Sequence, residues 1–229
     1  MYMNHPTYFK ELADYYNNSR LKPNDSMRTG VSDLRRQYND PNSWVHACVN
    51  NLQSVFRGKR VLEVACGPGT WTQFLADVAE QVLATDQSPR LLRYAAELKL
   101  QNTNWLECDA FELSKINLRF NGVCHFNFIN HIPLDLTPEF LRILHDRLEP
   151  GSTVFCATQR FRGSPDQPWY QKKDSGDMVS LRHKADGSVI EVIDTYFSED
   201  LLRGLLAGKA CRLRIFMNPW WWWATYQIP

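Results

Sequence analysis

Val61-Leu62-Glu63-Val64-Ala65-Cys66-Gly67-Pro68-Gly69-Thr70 decides the fold: an apolar strand runs into a glycine-bearing turn, and an amphipathic stretch follows from Thr70. Gly67 and Gly69 admit a backbone that passes close under a ligand, where a Cβ takes up ligand space; an ordinary tight turn at a strand end uses glycine too. A dinucleotide site shares the beginning of this pattern. Counted from Gly67, however, the sixth position is Thr72, beside the bulky Trp71, so the third glycine that packs a helix against a pyrophosphate is missing.

Outward from that turn, short apolar runs alternate with amphipathic stretches, which predicts a parallel sheet flanked by helices. The expected strands are 60–65, 81–86, 103–107, 123–129 and 152–158. Helices are expected at 70–80, capped by Thr70, at 88–99, and at 137–148, ended by Glu149-Pro150-Gly151. The first 57 residues are polar and aromatic, with helical signal at 8–16 and 43–56, and read as an N-terminal helical cap or lid. A core then spans 58–229 and carries an insertion at 159–197. In that insertion Asp186-Gly187 sits between 178–184 and 188–197 as a hairpin signal. A helix at 198–207, capped by Ser198, leads to two final runs at 211–217 and 222–228.

Carboxylates stand at the expected strand ends. Asp86 closes the second run, where it can accept both hydroxyls of a ribose or cap the helix before Ser88-Pro89. Asp109 closes the third, where it can read an adenine edge or form a turn. Glu63, in the first strand, is expected to face the loop and orient an ammonium group. Three carboxylates with no basic phosphate ligand suit a cationic sulfonium amino acid better than a diphosphate.

The chain has 229 residues, 44% of them hydrophobic, enough for one sizeable core with an elaborated edge. Its 26 Lys+Arg and 25 Asp+Glu leave a formal charge of +1, which disfavours a polyanionic partner: no nucleic acid and no membrane surface is expected. Cys48, Cys66, Cys108, Cys124, Cys156 and Cys211 are scattered singly among apolar neighbours, so they read as buried reduced thiols and no metal site is expected. The opening Met1-Tyr2-Met3-Asn4-His5-Pro6 has no basic region followed by an apolar run, which predicts a soluble cytoplasmic protein. Monomer and homodimer are both compatible with the sequence.

Taken together and in order, the stretch from Val61 to Thr72, Ala84-Thr85-Asp86-Gln87-Ser88, Asp109-Ala110 and Phe128-Ile129-Asn130-His131-Ile132-Pro133 resemble the class I S-adenosylmethionine-dependent methyltransferases of small-molecule type. The similarity runs from about Arg60 to the C-terminus. It implies an α/β, doubly wound, Rossmann-like seven-stranded sheet, mostly parallel, with an antiparallel C-terminal hairpin. It also implies S-adenosyl-L-methionine as cofactor, with S-adenosyl-L-homocysteine as product. Pro68 and the segment from Cys124 to Asn127 depart from the family pattern.

The candidate cofactor-binding set is Glu63, Ala65, Gly67, Gly69, Trp71, Asp86, Gln87, Asp109, Ala110 and Asn127. His131 follows the fourth run at the carboxyl edge of the sheet, and two readings stay open: a general base, or a structural histidine bonded to a loop carbonyl. Tyr15, Tyr16 and Trp222 are candidates for the acceptor side, with the Trp220 to Trp223 run alternating between core and pocket. His125 reads as buried structure, and Arg160, Arg162, Lys172 and Lys173 as a solvated face. The expected reaction moves a methyl group to an oxygen, nitrogen or sulfur of a small acceptor, aromatic and secondary-metabolite-like molecules among those it fits. The rival readings are a non-catalytic cofactor-binding regulator of the same fold and a nicotinamide-dependent oxidoreductase.

Overall fold

The computed structural model describes residues 5–19, 33–159, 170–184, 186–219 and 221–229. Seven strands form the main sheet: β1 (Arg60–Val64), β2 (Gln81–Asp86), β3 (Thr103–Glu107), β4 (Phe120–Phe126), β5 (Leu148–Gln159), β9 (Cys211–Met217) and β10 (Trp221–Gln227). Their order is β3-β2-β1-β4-β5-β10-β9, with β10 antiparallel to both of its neighbours. The order reverses between β1 and β4, and there the carboxyl ends of adjacent parallel strands diverge into a crevice.

Both faces of the sheet are covered, as the nearly unbroken apolar runs of β1 and β4 require. On one face α2 (Trp44–Phe56) inserts Val45, Cys48, Val49, Leu52 and Phe56, all fully buried, against Val61, Val82 and Phe155. Ser43 caps α2 by accepting the His46 N–H at 3.0 Å. On the other face α5 (Thr137–His145) and α6 (Glu199–Leu206) pack Phe140, Leu144, Leu202 and Leu206 onto Leu62, Val123, Val154 and Trp222. The N-terminal α1 (His5–Ser19) joins that same face through Tyr8, Phe9 and Leu12. Within the expected N-terminal cap, α2 is therefore a layer of the core, while α1 lies at the carboxyl edge.

Several sequence expectations are corrected. The helix after the glycine turn is short, α3 (Thr72–Ala76), and Thr70 does not cap it: the capping position is Trp71, with no side-chain bond. It stops early because the Asn102 amide takes the Ala76 and Ala79 carbonyls, both at 3.0 Å, and turns the chain into β2. Ser88 does cap α4 (Pro89–Ala96), accepting the Leu91 N–H at 3.1 Å. The insertion is a three-stranded sheet rather than a bare hairpin. β6 (Tyr170–Lys172) adds to β7 (Met178–His183) and β8 (Val189–Ile193), the latter two pairing antiparallel across Asp186-Gly187. Of the six thiols, Cys211 is exposed and Cys108 half-buried; only the other four are buried, and all six are free. No helix among the described residues is long and apolar enough to cross a membrane, and none of their His, Cys, Asp and Glu residues group as a metal site.

Candidate active site

The turn after β1 is held by the end of β2. Asp86 takes the Gly67 N–H on one carboxylate oxygen at 2.8 Å and the Ser88 N–H on the other at 2.9 Å, so it braces the loop and the start of α4 at once. Each oxygen keeps a further lone pair for a ligand. Burial raises the Asp86 carboxyl above its ordinary value, against the two N–H groups that favour its charge.

The two glycines divide the labour expected of both. Gly67 has φ +57°, and a Cβ added there meets nothing within 4 Å, so its open side is the cavity. Gly69 has φ +80°, but a Cβ there lies 2.7 Å from Leu98 Cδ1 and 3.1 Å from the Trp105 ring. Gly69 thus lets the loop close on α4 and β3 rather than on a ligand, and it does not line the cavity.

Above the crevice lies a cavity of about 760 Å³. Of the predicted cofactor set, Ala65, Gly67, Trp71, Asp86, Gln87, Asp109, Ala110 and Asn127 line it. Ala65 (φ 55°) and Asn127 (φ 50°) take left-handed backbone conformations at the ends of β1 and β4, turning both chains outward from the crevice. Asp109 accepts the Phe111 N–H at 2.8 Å, so the turn reading of this residue and its place on the wall coexist.

Glu63 is not on the wall. It is 1% exposed, and its Oε2 has no hydrogen-bond partner. Burial pushes its carboxyl up to about 8, and the Asp86 charge adds to it. At neutral pH it is mostly an uncharged acid beneath the loop, not the loop-facing carboxylate that was expected.

One wall is aromatic. Trp71 stacks on Phe126 with ring centroids 4.3 Å apart, and Trp44 stacks on Trp221 at 3.8 Å. From the tryptophan run it is Trp221 that reaches the cavity. The assignment of Trp222 to the acceptor side is corrected: strand alternation turns it to the opposite face, 1% exposed against Phe197. Trp220 lies outside the described residues.

His131 also lines the cavity, from a 3₁₀ turn (Ile129–His131) after β4. Its Nδ1 lies 2.7 Å from the Ile193 carbonyl oxygen, which can only accept, so Nδ1 carries a proton. In the neutral ring this leaves the lone pair on Nε2, 3.4 Å from the Asn130 amide nitrogen. Asn130 also donates to Asp194 at 2.8 Å and accepts from Thr158 at 2.9 Å, and Arg182 pairs with Asp194 at 2.9 Å. Asn130, Arg182 and Asp194 all line the cavity, the last two brought from the inserted sheet. His125 is fully buried, with burial pushing it down to about 3, as a structural histidine requires.

The lid side comes from Phe9, Leu12 and Ala13 of α1, with Leu34 and Gln37 from helical residues 33–38. Tyr15 stands behind this layer, with the Arg182 guanidinium 5.9 Å from its ring centroid. The side chain of Tyr16 lies outside the described residues. So do Arg160 and Arg162 of the basic cluster, in which Lys172 is exposed and Lys173 pairs with Glu191 at 3.0 Å. Sequence reasoning missed Phe9, Trp44, Asn130, Arg182, Asp194 and Trp221. Adjacency to His131 is the signal for Asn130; the period of two along β7 and β8 is the signal for the ion pair.

Residues 61–151 match a family model described as a methyltransferase domain. Two ubiquinone biosynthesis O-methyltransferases align with part of the chain. That of Cereibacter sphaeroides is 27% identical over 106 residues, covering 45% of this chain and 42% of its own. That of Xanthomonas campestris pv. campestris is 28% identical over 105 residues, covering 44% and 43%. The chain thus spans less than half the length of the curated relatives it matches. Among solved structures, a DhpI–SAH complex superposes with a TM-score of 0.67 at 21% identity, covering 88% of this chain and 96% of that one. The PH0226 protein from Pyrococcus horikoshii OT3 gives 0.65 at 16% identity, covering 84% and 95%. The Burkholderia thailandensis 1,6-didemethyltoxoflavin-N1-methyltransferase, with bound 1,6-didemethyltoxoflavin and S-adenosylhomocysteine, gives 0.57 at 16% identity, covering 100% and 91%.

Proposed function

We propose that this chain, which carries a methyltransferase domain on the class I methyltransferase fold, transfers the methyl group of S-adenosyl-L-methionine to an oxygen, nitrogen or sulfur atom of a small acceptor. The observation that carries the reading is the layout of the crevice at the carboxyl ends of β1 and β4. Half-buried, loop-bracing Asp86 and turn-forming Asp109 line it together with His131, whose Nδ1 is held by the Ile193 carbonyl. The names of the aligned relatives and the bound groups of the superposed structures support the same cofactor.

In this reading the open face of Gly67 leaves room for the amino-acid end of the cofactor. The spare lone pairs of Asp86 take the ribose hydroxyls, and Asp109 with Ala110 borders the base. The sulfonium is already electrophilic, so the residues mainly align nucleophile, methyl carbon and sulfur, and exclude water. Phe9 and Leu12 from above and Trp71 with Phe126 from the side supply the dry walls. An acceptor that must lose a proton gives it to His131 Nε2. The flat walls built by Trp44, Trp71 and Trp221 favour aromatic acceptors.

The direct test is thermal: saturating S-adenosylhomocysteine should raise the melting temperature, because a ligand specific for the native state stabilises it by mass action. A shift with NAD and none with S-adenosylhomocysteine would refute the proposal and favour a nicotinamide enzyme. Asp86→Ala should weaken cofactor binding by about 1.5–3 kcal/mol, the range for hydrogen bonds to a charged group. Calorimetry that finds unchanged affinity would leave Asp86 with its loop-bracing role alone.

A further inference from the structure

Tyr8 ties three separate parts of the chain together around His131. It lies on α1, 2% exposed, and its hydroxyl accepts the Ile193 N–H at 3.1 Å while donating to the His131 carbonyl at 3.2 Å. Ile193 is free to serve because of its register. The next residue, Asp194, donates its N–H to Met178 O across the β7–β8 pair at 2.7 Å, so the N–H and C=O of Ile193 point off that ladder. β8 is an edge strand of the small sheet, and the outward groups of Ile193 need partners once buried. The N–H goes to Tyr8 and the C=O to His131 Nδ1 at 2.7 Å, while Thr195 N–H bonds the Asn130 carbonyl at 2.7 Å.

We propose that Tyr8 is a positioning residue for His131. By holding both the His131 main chain and the Ile193 peptide that receives Nδ1–H, it fixes the imidazole in the Nδ1-protonated tautomer, with Nε2 beside the Asn130 amide. The proposal rests on the methyltransferase reading for its effect on turnover, but the tautomer itself is a property of the folded protein. The lid helix and the proton acceptor are thereby one unit. When α1 is seated, His131 is set; when α1 lifts, the Ile193 anchor loses its brace.

Tyr8→Phe keeps the ring and its edge contact with Phe9 at 5.0 Å and removes only the hydroxyl. Turnover should fall by up to about 10²-fold, the scale set by small misplacements of a reacting group. S-adenosylhomocysteine affinity should be unchanged. Added to His131→Ala, the substitution should cost little more, because both changes remove the same element. An additive loss, or unchanged turnover in the single variant, overturns the proposal.

Nitrogen-15 NMR of the imidazole judges it without any acceptor. The unaltered protein bound to S-adenosylhomocysteine should show His131 as one Nδ1-protonated species, and Tyr8→Phe a mixture of tautomers. A wild-type spectrum with both tautomers populated, or a variant spectrum that does not change, also overturns it, whether or not methyl transfer is found. If Tyr8→Phe does not fold, Tyr8→Leu takes its place, and an imidazole spectrum unchanged from the wild type overturns the proposal.

Discussion

His131→Ala should lower turnover by about 10²–10⁴-fold, the usual contribution of a positioned general base, while cofactor affinity stays nearly constant. The expectation follows from the ring's surroundings. Nδ1–H is committed to the Ile193 carbonyl, so in the neutral ring the lone pair is on Nε2, next to the Asn130 amide, and both residues line the cavity. The loss should shrink with acceptors that are already deprotonated at the assay pH, since these need no base. Turnover measured across acceptors of graded acidity separates this from a bracing role. A brace gives a flat response together with lower thermal stability and weaker cofactor binding, and that pattern would remove the histidine from the chemistry.

Trp222→Ala should destabilise the fold by about 3–5 kcal/mol, the range for truncating a large buried aromatic. For a chain of this size that lowers the melting temperature by roughly 6–20 °C. Cofactor affinity measured well below the melting point should be unchanged, because Trp222 packs on Phe197 on the face away from α2 and takes no part in the cavity wall. Calorimetric unfolding and a binding titration on one sample check both halves. A stable variant with impaired acceptor binding would return Trp222 to the wall.

The contrast between Trp222 and Trp221 marks how far the sequence was legible. Alternation along a strand says that neighbours face opposite ways, but not which of them faces the site. That parity is set by the register of β10 against β5, where Trp221 pairs with Gln159 and Trp222 with Thr158. The parallel strands were readable because buried parallel strands show as unbroken apolar runs and each turn carries its own punctuation, whereas the doubly wound arrangement came only through the family resemblance. Asp86 was readable for the same reason: it ends a run. Glu63 and Gly69 were misplaced because their roles depend on what lies around them, burial beside Asp86 for one, Leu98 and Trp105 for the other. Arg182 and Asp194 went unread because the period of two along β7 and β8 can put them on one face but does not say that this face meets the cavity.

The position of β10 bears on how this chain is assembled. It follows every other described strand in the sequence, yet in the sheet it lies between β5 and β9, and among the described residues β9 pairs with no other strand. Until residues 221–227 are in place, β5 shows an open edge and β9 hangs unpaired, the kind of surface that recruits other chains. The pairing is also long-range, with Trp221 lying against Gln159, and contacts of that kind form slowly. A chain cut short of Trp221 should therefore aggregate rather than merely lose activity.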